Sequence, residues 1–262
     1  MQAVVVERTG MSRRLIKNEL LAALEKPDLK GVFRLLDSHP PHQLINILFT
    51  ALCNTQELVR WHAICGFGWI IPAMADKDPE SARDVMRRFL WSLNDESGGI
   101  GWGAPEAMAE IMFHCTLLRH EYLHMLVSYL REDGDEIFQD GNYLELPFLQ
   151  RGLLWGIGRL CQGHRTEMVA KELLADIAAY LPSPDIQVMG LAIWCLGMLG
   201  GSFAAAKISD FLGHPGEVRL FVDNTLATVT VGKIAEDGLK QIRGAGQEGG
   251  DGNKSNRFED KG

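Results

Sequence analysis

Ile186–Gly200 reads IQVMGLAIWCLGMLG. Within it, Val188, Ala192, Leu196 and Leu199 fall at steps of four, four and three, which is one face of a helix. The same frame recurs outward along the chain. It starts again at Val59, Ala104, Leu149 and Val218. The following positions read Ala63, Phe67 and Ile70; Met108, Met112 and Cys115; Leu153, Ile157 and Leu160; and Val222, Leu226 and Val229. Every one is apolar. The intervals between starts shorten from about 45 to about 30 residues, the range of helix-pair repeats. One position past the third apolar residue is small in four of the five copies: Gly68, Gly158, Gly197 and Ala227, with Phe113 as the exception. A small residue at a fixed helical position lets a neighbouring helix approach closely.

The rest of the chain agrees with a helical reading. Helices are expected over 12–25, 29–37, 42–53, 57–71, 79–93, 104–115, 117–131, 147–161, 165–180, 186–200, 202–213, 216–231 and 234–243. Ser12, Asp78-Pro79, Ala104-Pro105 and Ser183-Pro184 act as start signals. Residues 1–10 read as a loose leader, with Met11 as an alternative start. Residues 11–243 read as one domain. Residues 244–262, rich in Gly and charge, read as a disordered tail.

Composition narrows the function. The chain has 262 residues and a formal net charge of −8. That balance disfavours nucleic acid, which calls for a basic surface. Cys53, Cys65, Cys115, Cys161 and Cys195 are odd in number and form no CxxC. A reduced, cytoplasmic chain follows, without a disulfide framework or a four-cysteine zinc site. No uninterrupted apolar run reaches the length of a membrane-spanning helix, and the opening MQAVVVERTG does not read as a signal peptide.

The repeat resembles HEAT-like repeats, in particular the lyase-type subclass. Leu58-Val59-Arg60 and Glu217-Val218-Arg219 match its opening, and AIWCLGMLG at 192–200 and LWGIGRL at 154–160 match its close. The likeness covers residues 40–243. Pro105, Gln150 and Met189 stand where the subclass carries arginine. The Asp95–Met112 segment is similar to one in bacterial HEAT-like proteins of uncharacterised activity. The resemblance implies an all-α fold, a right-handed α-α superhelix of about five helix pairs with terminal caps.

In such a fold the frame helices line the inner surface. Offsets two and six then face away from the apolar stripe. They carry Trp61, Glu106 and Arg151 in one row, and Glu110, Trp155 and Trp194 in the other. Aromatics among single charges suit a binding groove. The competing reading packs the tryptophans against an adjoining layer. Two insertions, Asn94–Gly103 and Glu132–Leu146, fall on one edge before frame helices. In the first, Trp102 lies between glycines as a ligand platform or a buried plug. Its GGIGWG lacks the lysine and strand of a phosphate loop. In the second, the acidic run 132–140 places Ile137 and Phe138 where an EF-hand needs an oxygen ligand and a glycine.

His120-Glu121-Tyr122-Leu123-His124 spells HExxH, the zinc and general-base motif of zincins. A third ligand is not evident beyond Glu136 and Glu145. The leading expectation is therefore a non-catalytic scaffold or adaptor without cofactor. It binds a protein segment, or a small ligand as the second partner class, through Trp61, Trp102, Glu106, Glu110, Arg151, Trp155 and Trp194. The alternatives are a metal-dependent hydrolase built on His120 and His124, a HEAT-like DNA glycosylase, and a lyase-like tetrapyrrole chaperone.

Overall fold

A computed structural model describes residues 13–94, 101–131 and 142–248. Among these residues are twelve helices and one two-stranded sheet, and they fall into two compact units dividing between His124 and Met125. The leader, the Met11 start and the acidic run 132–140 lie outside the described residues.

Unit 1 contains α1 (Arg13–Leu24), α2 (Leu29–Asp37), α3 (Pro41–Leu52), α4 (Glu57–Ala75), α5 (Pro79–Leu93), α6 (Ala104–His114) and the start of α7 (Thr116–Ser128). Local chemistry fixes several starts. Asp28 accepts from the Lys30 N–H at 3.0 Å, and Asp78 accepts from the Ser81 N–H at 3.2 Å just before Pro79. Each satisfies a donor that the first helical turn leaves free. α4 is apolar on all sides because α2, α3, α5 and α6 all pack on it. It is long and apolar enough to cross a membrane, but this character is also that of a helix enclosed in a core. Phe67 on α4 meets Phe89 of α5 edge-on at 5.0 Å and Phe49 of α3 at 4.9 Å. That cluster ties three helices together.

Unit 2 contains α8 (Pro147–Val169), α9 (Leu174–Ala178), α10 (Ile186–Leu199), α11 (Gly201–Ser209), β1 (Glu217–Val222), β2 (Thr225–Thr230) and α12 (Val231–Glu248). α10 packs between α8 and α12. A Cβ on Gly197 would stand 2.7 Å from the Gly238 Cα of α12, so the two backbones meet only because both residues are glycine. α8 leaves helical geometry at His164 (φ −132, ψ 36), and the helix expected over 165–180 is instead the end of α8 followed by the short α9. α12 continues past Arg243 into the segment read as tail, to Glu248.

The frame holds in four of its five copies. All frame residues on α4, α6, α8 and α10, together with Cys115 just after α6, are buried. The fifth copy is a correction. The helix expected over 216–231 is an antiparallel hairpin in which Val218 pairs with Val229 and Val222 with Thr225. Its loop is Asp223-Asn224, both left-handed at φ 50 and 59, the two-residue turn that suits a twisted hairpin. The misreading has a physical cause: a step of four satisfies a period of two as well as one near 3.6, so Val218 and Val222 fit either, while Leu226 lies past the turn on the second strand, opposite Phe221. β-branched residues on both sides of Asp-Asn, Val218 and Val222 before it and Thr225, Thr228, Val229 and Thr230 after it, decide for strands. Val218 and Phe221 are buried, and β1 packs on α10.

Candidate functional site

In unit 1, α6 carries Glu106, Glu110 and His114 one turn apart. These residues fall on one stripe. Glu110 is 5% exposed and lies beside Gly68 of α4, where a Cβ would come within 2.6 Å of the Glu110 Cγ. The glycine of the repeat frame thus makes room for the aliphatic part of the Glu110 side chain. His114 Nε2 and Glu110 Oε1 are 3.2 Å apart. Glu106 is half-buried, and burial pushes its carboxyl up to about 7, opposed by its own N–H and by the Arg60 charge. A carboxyl poised near neutrality can donate or accept a hydrogen bond.

Two tryptophans belong to the same unit. Trp61 is half-buried, with Nε1 3.5 Å from Glu57 Oε1. Trp102 is 41% exposed. Its flanking glycines serve the backbone: a Cβ on Gly101 would meet the Ser92 carbonyl oxygen at 3.0 Å, and Gly103 has φ 69. The loop therefore presents Trp102 from a constrained backbone that only glycine adopts readily.

The site residues of unit 2 have other partners. Arg151 forms a bidentate pair with Asp185, Nε to Oδ1 at 3.2 Å and Nη2 to Oδ2. Asp185 also accepts from the Gln187 and Val188 N–H groups at the start of α10. Burial raises its carboxyl, but Arg151 and these N–H groups outweigh it and hold the pKa below the usual range. Trp155 is 3% exposed and donates to the Phe221 carbonyl of β1 at 2.8 Å. Trp194 is 9% exposed and covers Gly158, where a Cβ would fall 2.2 Å from its ring. Both indoles are packed inside their own unit.

His120 and His124 of the HExxH are exposed on α7. Glu121 between them is clasped by Arg83, whose Nε donates to Oε2 at 2.8 Å and Nη2 to Oε1 at 2.6 Å. Arg83 holds the Glu121 carboxyl below its ordinary range, which suits an ion pair rather than a proton acceptor. Among the described residues, no three His, Cys, Asp or Glu side chains are grouped as metal ligands. Glu145 is exposed, and Glu136 lies outside the described residues.

The sequence reading missed His114, although its place four residues after Glu110 on one helix was a usable signal. It also missed His62, which is fully buried with Nδ1 2.8 Å from the Leu24 carbonyl oxygen. Burial lowers the His62 pKa against the opposing effect of that carbonyl.

No family model matches the sequence, and neither does any curated protein. Among solved structures, the chain is similar to an engineered protein at 16% identity and TM-score 0.46, over 89% of this chain and 98% of that one. It is similar to a second engineered protein at 14% identity and TM-score 0.48, over 87% of this chain and 98% of that one. A designed armadillo repeat protein in complex with the peptide (KR)4 matches at 17% identity and TM-score 0.44, over 86% of this chain and 98% of that one.

Proposed function

We propose that this chain is a non-catalytic helical-repeat scaffold that recognises a protein segment, with the recognition surface in unit 1. One observation carries the reading. Trp102 is 41% exposed on a glycine-bounded backbone next to the start of α6. Exposed tryptophans with restricted backbones contribute strongly to protein interfaces, because burying them costs little additional order. Glu106, on the first turn of α6, supplies a polar group near neutrality. Half-buried Trp61 extends the surface along α4, while Glu110 is buried beneath it.

The free thiols fit a reducing compartment, and the cytoplasm is where we place the chain. The salt-bridged Glu121 weighs against the hydrolase alternative.

The test is affinity capture with wild type and Trp102→Ala, followed by titration of the purified partner. The reading expects the variant to fold normally and to bind at least about tenfold more weakly. Equal affinity would remove Trp102 from the interface and the reading with it.

A further inference from the structure

Unit 2 holds an open cleft of about 550 Å³ between the end of α8, α9, the end of α10 and the start of α11. It lies where α8 leaves helical geometry at His164. Its volume is within the range of about 300–1,000 Å³ of small-molecule sites. The lining is mainly apolar, including Val169, Leu173, Leu199 and Phe203. Val169 is 46% and Phe203 42% exposed, so two large apolar side chains of the lining face water.

One cation is fixed in this lining. Arg165 Nε donates to the Met198 carbonyl at 2.9 Å and Nη2 to the Leu199 carbonyl at 2.8 Å. These bonds orient the guanidinium and leave donors unused, since the group carries five N–H bonds. No carboxylate pairs with it among the described residues. Gly200 is needed for this arrangement: its φ is 80, and a Cβ there would lie 2.6 Å from Arg165 Nη2. At Gly201, the first residue of α11, a Cβ would meet nothing within 4 Å, so the backbone there is approachable from the Cβ side. Glu172 also lines the cleft and is exposed.

We propose that this cleft binds a small amphipathic monocarboxylate, with its apolar body on Val169 and Phe203 and its carboxylate on Arg165. One fixed guanidinium beside an apolar wall matches one carboxylate on an apolar chain. Glu172 sets the upper limit on charge, because a polyanion would meet its repulsion. The site is independent of the recognition surface proposed in unit 1.

The test is calorimetric titration of the full chain with decanoate and, separately, with decanol, which has the same chain and no charge. Amide chemical shifts locate the ligand. The proposal expects decanoate to bind with shifts over 165–175 and 199–203, about tenfold more tightly than decanol. Arg165→Gln should remove that advantage and leave decanol unchanged. Ala175→Trp, which fills the cleft, should abolish binding of both. Because Arg165 also holds the end of α10, Glu172→Gln provides a second variant that keeps those bonds. It should bind decanoate several-fold more tightly. Equal affinity for decanoate and decanol, shifts confined to other residues, or no effect of Glu172→Gln would overturn the proposal.

Discussion

The two units use tryptophan in opposite ways. Of the six tryptophans, four lie in unit 1: Trp61 is half-buried, while Trp69, Trp91 and Trp102 are 44%, 74% and 41% exposed. The other two, Trp155 and Trp194 in unit 2, are 3% and 9% exposed. The frame glycine shows the same contrast from the inside. Gly68 in unit 1 admits the Glu110 side chain, whereas Gly158 in unit 2 admits the Trp194 ring. A repeat frame therefore specifies which face is buried and where a close approach is allowed. What fills the space is chosen copy by copy. In unit 2 it is filled by apolar surface, which builds a core. In unit 1 the Glu110 side chain fills it, and Trp69, Trp91 and Trp102 keep part of their surface exposed.

The largest effect should come from removing a packed indole. Trp194→Ala leaves a hole over Gly158, and denaturant unfolding should show a loss of about 3–5 kcal/mol. A loss below about 1 kcal/mol would place the indole on the surface and erase the contrast.

Next comes Glu106, the half-buried carboxyl one turn before Glu110 on α6. Burial holds the Glu106 carboxyl at about 7 rather than 4.5, so the folded chain holds this proton more tightly than the unfolded chain. The group's contribution to stability is complete below pH 4.5 and is lost as pH rises to about 7. Glu106→Gln should remove that decline. Parallel pH profiles for wild type and variant would show that Glu106 is solvated in the folded chain.

A smaller effect separates hairpin from helix in unit 2. Asn224 has φ 59 in the turn between β1 and β2. Asn224→Ala should cost about 1 kcal/mol, because alanine tolerates the left-handed region less well. Were residues 216–231 helical, the same change would stabilise the chain, since alanine is the better helix former. Thermal melts give the sign directly.

The smallest stability effect belongs to Trp102→Ala, expected within about 0.5 kcal/mol of wild type. A larger loss would mean that the indole is a packing residue, like those of unit 2.

Much of the fold was legible in the sequence because burial follows period. Val59, Met108, Leu153 and Leu196 are all buried on the face that their spacing assigned. The period could not separate a strand from a helix at Val218 and Val222, where Asp223-Asn224 was the missed signal. Site residues were less legible for a different reason. Offsets two and six mark a direction relative to one helix, and what covers that direction is set by elements distant in sequence. Trp155 is covered by Phe221 of the hairpin, which the helical reading did not contain. Glu121 is taken by Arg83, 38 residues earlier in the chain, a pairing that no local motif announces.

The most direct test of the contrast between the units is hydrogen–deuterium exchange of the full chain, free and bound to its captured partner. The recognition surface proposed for unit 1 predicts slowed exchange in Glu57–Ala75 and Ala104–His114, with α10 and the β1–β2 hairpin unchanged. Slowed exchange confined to unit 2 would contradict it.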